Sequence, residues 1–184
     1  LSIRRQRQMC IRDRGRFEIE VTAKDTLTKT GKDELTFLFT ANLGEPIRPL
    51  LKVASGGELS RVALAIKTVL LNASGVPTMV FDEIDTGVGG VTAQKMAEKI
   101  AVIAKVGQVL CITHLPQIAS FADRHLLIRK ESTGGRTSTG LTVLDEEGRI
   151  QELMRMTVGD NVSEVAYANA KELLAAAAKN KQAR

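Results

Sequence analysis

The sequence predicts an α/β protein: a mainly parallel sheet with antiparallel additions, flanked by helices. Three observations predict it. In the middle of the chain, short apolar runs (78–85 and 107–113) alternate with stretches whose apolar residues recur at helical spacing (57–73 and 91–105). That order is the order of strand–helix–strand units, which pair their strands in parallel. Strand patterns with period two stand in pairs towards both ends, and short connections of that kind imply antiparallel pairing. At 184 residues, 43% hydrophobic and 26% charged, the chain has the length and composition of one soluble domain with a real core.

The elements follow in order. Residues 1–16 hold Arg4, Arg5, Arg7, Arg12, Arg14 and Arg16 against Asp13, which accounts for the whole net charge of +5 and leaves the remainder neutral. "RRQRQMCIRDR" has neither helical nor strand periodicity, and it resembles translated sequencing-adapter read-through. It is set apart as a basic tail, non-native or disordered; the other reading is a basic arm that touches nucleic acid. The domain proper is then 17–184. "RFEIEVTA" (16–23) and "DELTFLFTAN" (33–42) alternate as strands, with Leu35, Phe37 and Phe39 on one face and a turn at Lys29–Lys32 containing Gly31. "LGEPIRPLLK" reads as an irregular, Pro-bearing connection. Leu59, Val62, Ala63, Ile66, Val69 and Leu70 define the first helix, ended by Gly75 and Pro77. "TMVFDEID" is a buried strand with a polar end, "TGVGG" a loop, 91–105 the second amphipathic helix and "GQVLCIT" a further buried strand. "HLPQIASFA" is a loop into a short helix. "RHLLIRK" and "TSTGLTVLD" are strands around a Gly/Ser/Thr-rich loop at 132–140, and "NVSEVAYANAKELLAAAAK" is the last helix, fraying into a basic end.

Composition narrows function. Aromatics are 3% with no Trp, which argues against a surface that stacks single-stranded bases. No apolar run approaches the roughly 20 residues of a membrane span, and no signal peptide is visible. Cys10 and Cys111 suggest no disulfide framework, so a reducing cytosol is the expected compartment. Cys111 reads as a small buried apolar side chain, and His125 as an ordinary strand residue.

Three motifs carry chemistry. In "KVASGGELSR", Ser55 and Glu58 form the S-x-x-E pattern of a capping box. That explains neither Gly56 nor Gly57, each of which weakens a helix by up to about 1 kcal/mol relative to alanine. Glycines at a helix start let another molecule approach exposed amides, where the dipole favours an anion. In "MVFDEIDTG", Asp82 and Glu83 stand at the carboxyl end of an apolar strand, where open α/β sheets bind ligands and where carboxylates can hold Mg2+ or position water. In "LCITHLPQ", His114 follows another buried strand, which puts it at the same sheet edge if the strands are neighbours.

The order and spacing of "ASGGELSR", "VFDEIDTG" and "THLPQIA" resemble the second half of an ABC-type ATPase head, with a signature motif, a Walker B motif with its D-loop, and a switch histidine. The chain is most similar to the RecN family of SMC-like proteins, from about Phe17 to about Leu174. The resemblance implies the C-terminal lobe of an ABC/SMC-type P-loop NTPase head, with ATP and Mg2+ as cofactors. Ser55, Gly56 and Gly57 would reach the γ-phosphate of ATP on an opposing head, with Glu58 and Arg61 shaping that contact. Asp82 would support Mg2+, Glu83 would act as general base, Asp85 and Gly87 would cross the dimer interface, and His114 would sense the γ-phosphate. The pattern G-x-x-x-x-G-K-[ST] is absent; "TGKDE" places Asp33 where the hydroxyl belongs. The resemblance therefore implies an N-terminal lobe carrying Walker A as partner, a second head as homodimer partner, DNA as ligand of the full protein, no membrane, a cytoplasmic and nucleoid-associated location, and no ATP hydrolysis by this chain alone. Two other functions remain open. A DNA-tethering clamp that uses nucleotide only for head engagement lacks the basic face expected of it. A stand-alone Mg2+ phosphohydrolase built on Asp82, Glu83, Asp85 and His114 leaves the double glycine unexplained.

Overall fold

The computed structural model describes residues 6–9, 15–40, 44–53, 55–70, 77–133, 136–161 and 163–182. The chain divides into two compact units, Leu1–Ala63 and Leu64–Arg184.

The first unit is a four-stranded antiparallel sheet in sequential order: β1 (Gln6–Met9), β2 (Arg16–Thr28), β3 (Gly31–Thr40) and β4 (Arg48–Pro49). β2 and β3 pair Phe17 with Phe39, Ile19 with Phe37 and Val21 with Leu35, so the alternation read from the sequence lines up across the strands. The Phe17 and Phe37 rings stack with centroids 5.8 Å apart. Gly31 closes the turn at φ +102°, a backbone that suits glycine. β1 lies within the basic stretch, and its backbone pairs Gln6 with Ile19 through Met9 with Arg16. Strand pairing uses backbone groups, so it requires no alternation of side chains. The Pro-bearing connection is more regular than expected. It contains β4, paired with β3, and a short helix α1 (Leu50–Val53). α2 (Gly56–Val69) follows and runs across the division between the units. The helix end expected at Gly75 lies outside the described residues.

In the second unit β5 (Thr78–Phe81) and β6 (Gln108–Cys111) pair in parallel, joined by α3 (Gly90–Ala104). Parallel pairing is confined to these two among the described strands, so antiparallel strands form the larger share. Phe81 and Ile84 pack with Ala93, Met96, Ala97, Ile100 and Ile103 of α3 and with Ile118 and Phe121. α4 (Pro116–Ala119) is the expected short helix, with Pro at its start. β7 (Leu126–Thr133) and β8 (Arg136–Val143) form a hairpin whose strands extend into the stretch expected to be loop. β-branched Thr133, Thr137 and Thr139 suit a pleated strand, which outweighs the loop signal of glycine and serine.

α5 (Glu146–Val158) is an element the sequence reading passed over. Asp145 caps it, accepting from the Gly148 N–H at 2.8 Å, and Gly159 ends it at φ +66°. Ile150, Leu153 and Met154 of α5 bury against Ala119 and against Ala166 and Ala170 of α6 (Glu164–Gln182). Glu152, itself buried, takes a bidentate ion pair from Arg155 at 2.6 and 2.9 Å, which holds its carboxyl below the usual range. Among the described residues no helix is long and apolar enough to cross a membrane.

His125 stands just before β7, and its Nδ1 is buried without a hydrogen-bond partner. Burial first, and the Arg149 charge second, lower its pKa below 6.5, with Glu152 opposing. The folded state therefore disfavours the proton more than the unfolded chain does. That stability is complete above pH 6.5 and is lost as pH falls through the lowered value. Urea midpoints should fall between about pH 7 and about pH 5, and His125→Gln should flatten the decline; an unchanged slope in His125→Gln would assign the effect to other groups.

Candidate functional site

Two groups of residues singled out by the sequence lie in different units and are built differently. The first is the start of α2. Ser55 is the residue before the helix, and its N–H donates to Glu58 Oε2 at 2.9 Å. The Glu58 N–H returns a longer bond to Ser55 Oγ at 3.4 Å, and the Leu59 N–H reaches the Ser55 carbonyl at 2.9 Å. This is the reciprocal capping box that the S-x-x-E spacing predicts. Gly56 and Gly57 are then the first two helical positions, whose amides have no acceptor within a helix. Ser55 and Gly56 are exposed, Gly57 is buried and Arg61 is half-buried. Ser55→Ala removes the hydroxyl cap and should lower stability by about 1 kcal/mol in denaturant unfolding. A loss near zero would mean that water replaces the cap.

The second group lies at the carboxyl ends of the parallel pair. The Ile112 N–H donates to the Phe81 carbonyl at 2.9 Å, so β5 and β6 end side by side. Asp82 and Glu83 follow β5 and are exposed. Glu83 adopts φ +55°, the one non-glycine residue with positive φ among the described residues. Such a backbone costs an L-residue about 1–2 kcal/mol. It is held locally: the Glu83 N–H donates to Asp82 Oδ1 at 2.9 Å, and its carbonyl accepts from Thr86 N–H at 3.1 Å. The chain then turns inward. Ile84 is fully buried and Asp85 is 3% exposed.

The Asp85 carboxylate faces the turn after β6. Oδ2 accepts from Thr113 Oγ1 at 2.6 Å and from the His114 N–H at 2.9 Å, and it lies 3.1 Å from His114 Nδ1. A buried carboxylate needs such donors, and the turn after β6 supplies them. Thr113 Oγ1 in turn accepts from the Leu115 N–H at 3.0 Å. The exposed part of the loop is Thr86 and Gly87, the latter at φ +71°. Thr113 is the residue of this edge that sequence reasoning missed; a threonine directly before the candidate histidine was the available signal. The His114 side chain is 71% exposed beyond its Asp85 contact. Cys111, half-buried at the end of β6, has its thiol pushed up to about 11 by burial and by the Asp85 and Asp82 charges, which keeps it an inert neutral side chain.

Among the described residues no cluster of three or more His, Cys, Asp or Glu side chains could cage a metal ion. One exposed carboxylate, Asp82, nevertheless fits Mg2+, which takes one or two carboxylates and completes its shell with phosphate and water oxygens.

No protein-family model matches the chain. Curated relatives do. The chain is 47% identical over 175 residues to the DNA repair protein RecN of Treponema pallidum, covering 95% of this chain and 30% of that protein. It is 50% identical over 148 residues to the DNA repair protein RecN of Bacillus subtilis, covering 80% of this chain and 26% of that one. Among solved structures, a Smc head domain with coiled coil and joint from Pyrococcus yayanosii covers 76% of this chain and 25% of its own, at 21% identity and a TM-score of 0.51. That likeness speaks to the fold, which is the SMC-head fold expected from the motifs. The chain spans about a third or less of the length of these relatives and matches their C-terminal part. Over that length, the chain belongs to the RecN family.

Proposed function

We propose that this chain is the C-terminal lobe of a RecN-type ATPase head that acts in DNA double-strand-break repair and recombination. The observation that carries the reading is the shared edge of the parallel pair. There Asp82 and Glu83 follow β5 and His114 follows β6, and the carboxylate of Asp85, two residues past Glu83, accepts from the His114 N–H, in a chain about half identical to proteins named for DNA repair. ATP with Mg2+ supplies the phosphoanhydride bond and the charge neutralisation. Asp82 holds the cation. Glu83 accepts the proton of the attacking water, and its backbone aims the carboxylate away from the core. His114 presents its exposed ring to the terminal phosphate. Ser55, Gly56 and Gly57, ordered by Glu58 and with Arg61 beside them, offer helix-start amides to the ATP of a second head, and Gly87 lies on the loop that meets that head.

A further observation supports a missing lobe. One face of β5–β6 packs on the core, but Val80, Leu110 and Ile112 on the other are 63%, 44% and 56% exposed. Parallel sheets are ordinarily covered on both faces, and two parallel strands alone are not a stable sheet. The Walker A lobe is the covering element of this reading, DNA the ligand of the assembled protein, and the nucleoid its location. Mixing the chain with a separately expressed Walker A lobe of the same protein should restore Mg2+-dependent ATP hydrolysis that neither piece shows alone. Turnover by this chain without the lobe would return the stand-alone phosphohydrolase reading.

A further inference from the structure

We propose that the β7–β8 hairpin is a docking surface for the N-terminal lobe, which covers Leu126, Ile128, Leu141 and Val143 with apolar side chains of its own. This deepens the proposed function and rests on it for the identity of the lobe. The register puts Leu126 opposite Val143 and Ile128 opposite Leu141. Side chains alternate along a strand, so these two cross-strand pairs share one face. All four side chains are between 43% and 61% exposed. Leu127, on the opposite face, is half-buried, so the hairpin turns one side to the protein and an aliphatic side to solvent. The next pair on that outer face, Lys130 with Thr139, is polar and exposed, and it rims the patch. A contiguous apolar patch with a polar rim marks a contact surface.

The occupant follows from what the hairpin needs. Among the described strands β7 and β8 pair only with each other. Two strands alone are marginal in water, so the cover must be permanent. A part of the same polypeptide, held at high effective concentration, gives a permanent cover. DNA does not suit the patch, because four aliphatic side chains offer phosphate neither charge nor a donor. A second copy does not suit it either: four side chains are few beside the roughly 20–30 residues a side of a stable dimer. The relatives supply the polypeptide. The chain covers 30% and 26% of the RecN proteins of Treponema pallidum and Bacillus subtilis and matches their C-terminal part. The same unit holds a second uncovered aliphatic face, Val80, Leu110 and Ile112 of the separate β5–β6 sheet, and one large lobe covers both.

Thiol labelling of Ile128→Cys, read by mass spectrometry on its own peptide, reports the cover. In the full-length protein, without DNA, labelling should be at least about 100-fold slower than in the same protein in denaturant. Dilution should not change that ratio. Protection that fades on dilution would give the face to a second copy and overturn the inference, and so would fast labelling at every concentration. In the two-piece mixture, labelling of this chain should be fast alone and slow once the Walker A lobe is added. Leu141→Asp changes a side chain already in water, so it should leave the urea midpoint of this chain unchanged and weaken lobe binding at least about tenfold. Unaltered binding overturns the inference, and should Leu141→Asp unfold the chain, the labelling decides. If the lobe restores Mg2+-dependent ATP hydrolysis but leaves Ile128→Cys fast, the docking surface is wrong and the ATPase reading stands. If labelling slows and no hydrolysis appears, the docking surface stands and the ATPase reading fails.

Discussion

Glu83→Gln is expected to lower kcat for ATP hydrolysis by about 10²–10⁴-fold in the two-lobe protein, while nucleotide binding persists. The amide has the volume and reach of the carboxylate but cannot take a proton. The hydrogen bonds that set the turn use the backbone of residue 83 and the side chain of Asp82, so they survive the change. The substitution therefore tests the carboxylate alone. Glu83→Gly separates chemistry from backbone strain. Glycine adopts φ +55° without the penalty an L-residue meets there, so this variant should be as stable as the unsubstituted chain or more stable, by up to about 1–2 kcal/mol, yet equally inactive. A left-handed backbone at an exposed acid has no packing benefit to offset it. Such strain persists where the surroundings over-determine it, commonly at sites where a side chain must be aimed. Full turnover in Glu83→Gln would remove Glu83 from the reaction.

Much of the site was legible because its residues sit at the junction of two signals. Asp82 and Glu83 end an apolar run, and His114 follows the next one; a change from apolar to charged at a strand end is a local pattern that one sequence displays. The capping box was legible for the same reason, because it is closed by residues three apart. The direction of Asp85 was not. It depends on a partner 28 residues away, Thr113, and nothing in "DEIDTG" distinguishes an acid that faces solvent from one that faces a neighbouring turn. α5 was hidden by its surface. "EEGRIQELMRM" is rich in charge and contains Gly148, so its apolar residues, Ile150, Leu153 and Met154, make a narrow stripe that becomes a core only when α6 covers it. β4 and α1 were hidden by Pro46 and Pro49, which mark irregular chain in general but sit acceptably on a two-residue edge strand and before a helix. In each case the deciding contact was distant in sequence, which periodicity does not register.

Ile84→Ala should cost about 2–5 kcal/mol in denaturant unfolding, the range for removing a buried isoleucine, and it should also impair the site more than its distance from any ligand suggests. Ile84 is fully buried among Leu64, Phe81, Ala93, Met96, Ala97 and Ile100, and it lies between Glu83 and Asp85 in the chain. It anchors the turn that carries both. Shortened to alanine, it leaves a cavity that the helix side fills only partly, and the turn gains freedom on the side where the strained Glu83 backbone is held. Relaxation of residue 83 out of the left-handed region is the favourable direction of movement, and it would swing the carboxylate off its aim. Turnover at a temperature where Ile84→Ala remains folded should therefore fall at least about tenfold, as misplacement by about 1 Å costs catalysis heavily. Leu153→Ala provides the comparison. It removes an equally buried side chain from the separate cluster of α5 and α6, with an expected stability loss in the same range. It should leave kcat near that of the unsubstituted protein at the same temperature. Equal losses of turnover in the two variants would show that the site responds to global stability and not to its anchor.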